Sequence, residues 1–154
     1  MTKVITYGSA LDAINALVDE FKTNTPLSAD HAETVAFAVN HDLQVRDYFL
    51  GLPETLTAQG AVQFITDLLP LVAETDRVPF YTVLSAYYFE AGDNELAHAS
   101  LFTAQSLNSE YSLASLLSRV FSAGWEPQAF VVMRAELHPK VVETLTENRE
   151  LVIS

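Results

Sequence analysis

The sequence lacks cysteine altogether, and it has only five glycines, six prolines and eight basic side chains in 154 residues. Without cysteine there is no disulfide scaffold, no thiolate zinc site and no thiol nucleophile. So few glycines and prolines exclude low-complexity sequence and a turn-rich all-β chain. Eight basic against 20 acidic residues leave a formal net charge of −12, a field that repels a phosphate backbone, so direct binding of DNA or RNA is not expected. No apolar run approaches the roughly eighteen residues of a membrane span. Polar residues interrupt the start, Met1 to Gly8, so it does not read as a secretory leader. Together with the missing cysteines this points to the cytoplasm.

What remains is rich in core-forming residues. The chain is 49% hydrophobic and 10% aromatic, too apolar for a disordered segment and long enough for one domain with a substantial core. The acids concentrate in the middle, where residues 51–100 hold seven carboxylates against one base, Arg77. An acidic decoy of nucleic acid would need these as a stripe. Asp93 is needed as a helix cap, and Glu74 and Asp76 flank Arg77, so the charges are expected to be scattered.

Periodicity is helical almost throughout. A first helix is predicted over 10–22, capped by Ser9, with Leu11, Ile14, Leu17, Val18 and Phe21 on one stripe. Ser28 caps a second helix to about Asn40, and Asp42 starts a short third that stops at Gly51-Leu52-Pro53. The fourth is predicted from Thr57 to Leu69, with Pro70 kinking it or opening a new turn. Val78-Pro79 opens the fifth and Gly92 closes it, Asp93 caps a sixth to Leu107, and a seventh runs from Glu110 to Ala123 before Gly124. Pro127 starts an eighth and Pro139 a short ninth. Tyr7-Gly8 and the tail Leu151-Val152-Ile153 are the only β-like fragments, and the tail is expected to pack on the body or hang free.

Residues 81–104 match tetratricopeptide spacing. Tyr81, Leu84, Ser85 and Tyr88 take the first-helix positions, Gly92 the turn, and Ala97, Leu101 and Ala104 the second-helix positions. The small residues let two helices approach while the larger ones fill the groove between them. Ser109 stands where the motif has proline, and no second copy follows. The predicted fold is therefore all-α, one domain of stacked helical hairpins in a tetratricopeptide-like right-handed array of about eight or nine helices.

Two segments carry a more specific resemblance. One is Ala32 to Asp47, with the D-x-x-x-R-D core of Asp42, Arg46 and Asp47. The other runs from Pro79 to Pro127, anchored at Gly92-Asp93, Leu96-Ala97, Leu101, Ala104, Tyr111 to Ala114, Leu116-Leu117 and Ala123-Gly124. In order and spacing they resemble the C-terminal helical half of the actinobacterial family called domain of unknown function 4192. The resemblance implies a stand-alone version of that half, as a phage-borne or pared-down member would be. It brings no established activity with it.

The chemistry-bearing residues are few. His31, His41, His98 and His138 form no His-x-x-x-His pair, so no metal site is expected. There is no nucleophile elbow, phosphate-binding loop or dinucleotide fingerprint, so neither a cofactor nor an enzymatic activity is expected. Asp42 and Arg46 are four apart and can meet on one helix face, so Asp42, Arg46 and Asp47 read as a cap with a structural ion pair, or else as a carboxylate-binding or general-acid site centred on Arg46. The leading expectation is a non-enzymatic interaction module for a protein partner. Thr82, Ala86, Phe89 and Glu90 would point into the concave face of the array, with Trp125 as an end piece or an exposed anchor. The second is a small-molecule-binding protein or enzyme with its pocket near Arg46, and the third is the acidic decoy. Arg46 buried against a carboxylate would favour the first, and a cleft of several hundred Å³ opening beside it the second.

Overall fold

A computed structural model of the chain describes residues 3–146 and 150–153. Its body is all-α. Among the described residues there are eight α-helices: α1 (Tyr7–Lys22), α2 (Ala29–His41), α3 (Leu43–Leu50), α4 (Pro53–Leu68), α5 (Val78–Glu90), α6 (Asn94–Leu107), α7 (Ser112–Ser122) and α8 (Pro127–Thr146). Two 3₁₀ turns, Leu69–Leu71 and Glu74–Asp76, link α4 to α5. Strands β1 (Lys3–Thr6) and β2 (Glu150–Ile153) pair antiparallel, Lys3 opposite Ile153 and Thr6 opposite Glu150. The tail is thus tied to the start of the chain by a backbone ladder. Tyr7 and Gly8 are the first turn of α1 and not β-like.

Most helix ends follow local chemistry. Ser28 and Asp93 accept hydrogen bonds from the backbone N–H groups of His31 and Leu96, and Gly92 and Gly124 take the left-handed conformation at φ +84° and +75°. Three expected boundaries move. The N-cap of α1 is Thr6, whose Oγ1 accepts from Ser9 N at 2.9 Å, so Ser9 sits three residues inside the helix. α4 begins at Pro53, and a break at Thr57, with φ +65° and ψ 165°, separates its first turn from the rest. Thr57 Oγ1 then caps the continuation by accepting from Gly60 N at 3.1 Å.

Pro139 does not begin a ninth helix but lies inside α8. Proline removes one N–H donor from the ladder, a local cost. Both ends of α8 are anchored: Phe130 is buried in one apolar cluster and Leu145 in another, so the helix continues across the defect.

α5 organises the packing. It is buried nearly all round, lying against α4 on one side and α6 on the other, with α3, α7 and α8 closing over it. Its first half joins the larger cluster, where Ile14, Leu17, Val35, Phe49, Phe64 and Phe80 are fully buried. Its second half joins a smaller cluster with Ala97, Leu101, Leu117 and Phe121. The α5–α6 hairpin forms as its spacing predicts, with Ala97 and Ala104 fully buried at the contact.

The same burial corrects the expected concave face. Thr82 and Ala86 are fully buried and Phe89 is 5% exposed, because α5 is a central helix covered on every side. Thr82 meets its polar requirement internally, its Oγ1 donating to Val78 O at 2.8 Å. Phe89 stacks on Phe121 at 4.6 Å and meets Phe130 edge-on at 5.9 Å. The Glu90 side chain is also interior, 3% exposed. None of the four is an interaction surface.

Candidate functional site

Two buried arginines and an apolar cleft between them define the site. The first arginine, Arg46, rises from α3. The helix starts where it does because Asp42 Oδ1 accepts from the N–H groups of Gln44 and Val45, at 2.8 and 3.2 Å. The other oxygen, Oδ2, accepts from Tyr7 Oη at 2.8 Å, tying α1 to α3. Asp42 is therefore occupied, and the predicted Asp42–Arg46 ion pair is replaced by one with the neighbouring acid. Arg46 Nε and Nη2 both donate to Asp47 Oδ1, at 3.1 and 2.9 Å. The Tyr111 ring covers the guanidinium at 5.9 Å. Burial disfavours the Arg46 charge, but Tyr111 and Asp47 outweigh it and the guanidinium pKa is raised. Nη1 is shut away from solvent with no hydrogen-bond partner among the described residues.

The second, Arg134, comes from α8 and ties three helices together. Its Nε and Nη2 donate to Glu90 Oε2 and Oε1 at 2.8 and 2.9 Å, a bidentate fork onto the end of α5. Its Nη1 donates to Glu54 Oε1 in α4 at 3.0 Å. Burial pushes the Glu90 carboxyl up; Arg134 counters this, Glu54 adds to it, and the result remains raised. One turn further along α8, burial and then the Arg134 charge lower the His138 pKa. His138 lies over Tyr48 at 5.4 Å between ring centres. It also fills the space a side chain would need at Gly51, where an added Cβ would sit 2.0 Å from His138 Nδ1.

Between these groups is a cleft of about 290 Å³. α3 contributes Arg46, Asp47 and Leu50, and α7 contributes Leu113, Leu116, Leu117 and Val120. Phe130, Met133, Arg134, His138 and Val141 of α8 form the opposite wall. Trp125, 40% exposed, lines it from the loop between α7 and α8. The lining is predominantly apolar, with polar groups at a few fixed points, and it contains no hydroxyl nucleophile.

Of the residues singled out from sequence, Arg46, Asp47 and Trp125 come together at this cleft. Asp42 stands behind as the cap of α3, and Glu90 reaches the wall only through Arg134. Arg134, His138, Glu54 and Tyr111 were missed. Their partners are up to 80 residues away in the chain, and no local spacing reports that. Of the other histidines, His41 Nδ1 lies 2.8 Å from Phe37 O, His98 meets Phe121 edge-on at 5.6 Å, and His31 Nδ1 is buried with no hydrogen-bond partner among the described residues. Among the described residues no group of three or more histidines and carboxylates is placed to hold a metal ion, and no helix is long and apolar enough to cross a membrane.

No curated protein and no solved structure matches the chain. A family model does. Its description is domain of unknown function (DUF4192), and it matches residues 6–128, from the cap of α1 to the first residues of α8. The match takes in the α3 and α7 walls of the cleft, and also α1, which lies outside the segments that carry the resemblance in the sequence. Arg134 and His138 lie beyond it. With the model covering well over half of its length, the chain belongs to the DUF4192 family.

Proposed function

We propose that the chain is a non-enzymatic binding protein whose ligand is a small apolar molecule, held in the cleft beside Arg46. The observation that carries this reading is the cleft itself: about 290 Å³, walled by nine apolar side chains and placed against buried charged groups that do not close it. Pockets for small molecules have this character, with apolar walls and a few fixed polar groups that orient the occupant. The expected protein-binding face argues the other way, since Thr82, Ala86 and Phe89 are core. Each methylene buried by a ligand contributes about 0.8 kcal/mol before the cost of association, so affinity should rise with the length of the alkyl or aryl body until the cleft is full.

The test uses the chain's single tryptophan, which lines the cleft. Titration with the neutral fluorophore N-phenyl-1-naphthylamine should give saturable, one-to-one quenching of Trp125. Leu116→Phe, at a half-exposed wall position, should fill the cleft and weaken that binding while leaving the fold intact. No saturable binding, or binding indifferent to Leu116→Phe, would overturn the proposal.

A further inference from the structure

The charges around the cleft say which kind of head group its occupant carries. Both guanidinium groups on the wall are already engaged, Arg46 by Asp47 and Arg134 by Glu90 and Glu54. The wall and its direct partners thus hold three carboxylates against two guanidinium groups. Burial and the Arg134 charge both lower the His138 pKa and so disfavour a charged ring there. An incoming anion would find no free cation and one surplus negative charge.

Of the three carboxylates, Asp47 is the one that itself lines the cleft. Arg46 takes both of its hydrogen bonds from a single oxygen, Oδ1. Oδ2 makes no hydrogen bond among the described residues, and the Asp47 side chain is 35% exposed at the edge of the apolar lining. The unmet donor, Arg46 Nη1, is closed off from solvent, so a molecule in the cleft reaches the carboxylate and not that N–H. Trp125 adds an aromatic face able to attract a cation. Low-polarity walls strengthen any ion pair formed beside them.

We infer that the cleft selects an apolar molecule bearing a protonated amine, an alkyl- or arylammonium, with its nitrogen donating to Asp47 Oδ2 and its body among Leu113, Leu116, Val120 and Met133. The inference rests on the cleft being a small-molecule site, and the experiment separates the two. Octylamine, 1-octanol and octanoate share one chain and differ only in the head. Each is titrated at pH 7 against bound N-phenyl-1-naphthylamine. Octylamine should displace the probe at about a tenth or less of the octanoate concentration, with octanol between them.

Asp47→Asn should bring amine and acid to within about threefold of each other and leave octanol unchanged. Should that variant fold poorly, the parent supplies the same information, because raising salt from about 50 to 500 mM should narrow the amine preference through screening. Octanoate binding as well as octylamine, or an amine preference that survives both Asp47→Asn and high salt, overturns the inference while the cleft stands. Failure of the probe and of all three octyl compounds to bind overturns the small-molecule reading itself.

Discussion

The two apolar clusters that share α5 differ in how completely they close. The larger one, built from α1 to α5 with Leu145 of α8, holds Phe49, Phe64, Phe80, Ile14 and Leu17 with no more than 1% exposure each, and exposure rises to 6–8% at Tyr7, Val18, Leu56 and Leu84. The smaller one, between α5, α6, α7 and α8, leaves Leu113, Val120 and Phe121 at 7–9% and keeps a cleft of about 290 Å³ along its edge. Both are made of the same residue types. The difference lies in what faces them. In the larger cluster, surrounding helices cover the aromatic centre at Phe49, Phe64 and Phe80. In the smaller, α7 touches α5 and α6 but makes little direct contact with α8, and two arginine clusters stand where further apolar packing would otherwise close the gap. A chain can thus place a dense core and an open cleft in one domain by changing only the number of covering elements.

The largest effect should come from comparing one aromatic in each cluster. Phe64→Ala removes a fully buried ring packed against Phe21 at 5.5 Å and Phe49 at 6.5 Å, and should cost about 3–5 kcal/mol. Phe121→Ala removes a ring that borders the cleft cluster, and should fall at or below the low end, about 3 kcal/mol. Denaturant unfolding of both variants checks the order. Equal costs would mean that the clusters are equally closed.

Next is the charged wall. Arg134→Met leaves Glu90, with its side chain 3% exposed, without its fork, and should cost about 3 kcal/mol at pH 7. The pH dependence gives the sign. Glu90 has a raised folded pKa, so the native state holds its proton over a range where the unfolded chain has released it. Its contribution is fully present below the ordinary carboxylate value and is lost as pH rises through the raised one. Without Arg134 that pKa should climb further and the loss should extend to higher pH. His138 acts in the opposite sense. Its lowered pKa makes its contribution present above the ordinary imidazole value and lost as pH falls through the folded one. Stability measured from about pH 4 to 8 in parent and variant should separate the two.

How much of this was legible in the sequence divides along the same line. Elements set by local chemistry were readable: the Ser28, Asp42 and Asp93 caps, the glycine stops at Gly92 and Gly124, and the α5–α6 hairpin from the spacing of Leu84, Ala97, Leu101 and Ala104. The cleft was readable only in part. Arg46, Asp47 and Trp125 stood out because Arg46 and Asp47 fall in a compact polar motif and Trp125 is unique. Arg134 carries no local signal, since the carboxylates that pair with it lie 44 and 80 residues away. The error over Thr82, Ala86 and Phe89 has the same origin. Repeat spacing reports which residues share a helix face, but not how many other helices cover it. Pro139 likewise reads as a boundary until both ends of α8 are seen anchored in separate clusters.

Gly51 sharpens the comparison at the seam. Its φ of −86° needs no glycine, so the requirement is space alone. Gly51→Ala drives a methyl into the His138 ring and should cost about 1–3 kcal/mol by overpacking. In the double variant with His138→Ala the penalty should largely vanish, measured as a double-mutant cycle in thermal unfolding. A penalty that persists without the imidazole would place the conflict elsewhere.

The smallest expected effect on stability is at the wall itself. Leu116 is 45% exposed although it lines the cleft, so half of its apolar surface is in water in the folded state. Leu116→Ala leaves no enclosed void, because the space it vacates is continuous with a cleft already open. The cavity contribution that makes core truncations costly is therefore absent, and the change should cost less than about 1 kcal/mol. The same substitution removes contact area for any occupant and should weaken N-phenyl-1-naphthylamine binding severalfold. A stability loss approaching that of Phe64→Ala would show that α7 closes onto α8 in solution, with Leu116 serving as core. A small loss together with weakened binding is what separates a cleft wall from the closed cluster on the other side of α5.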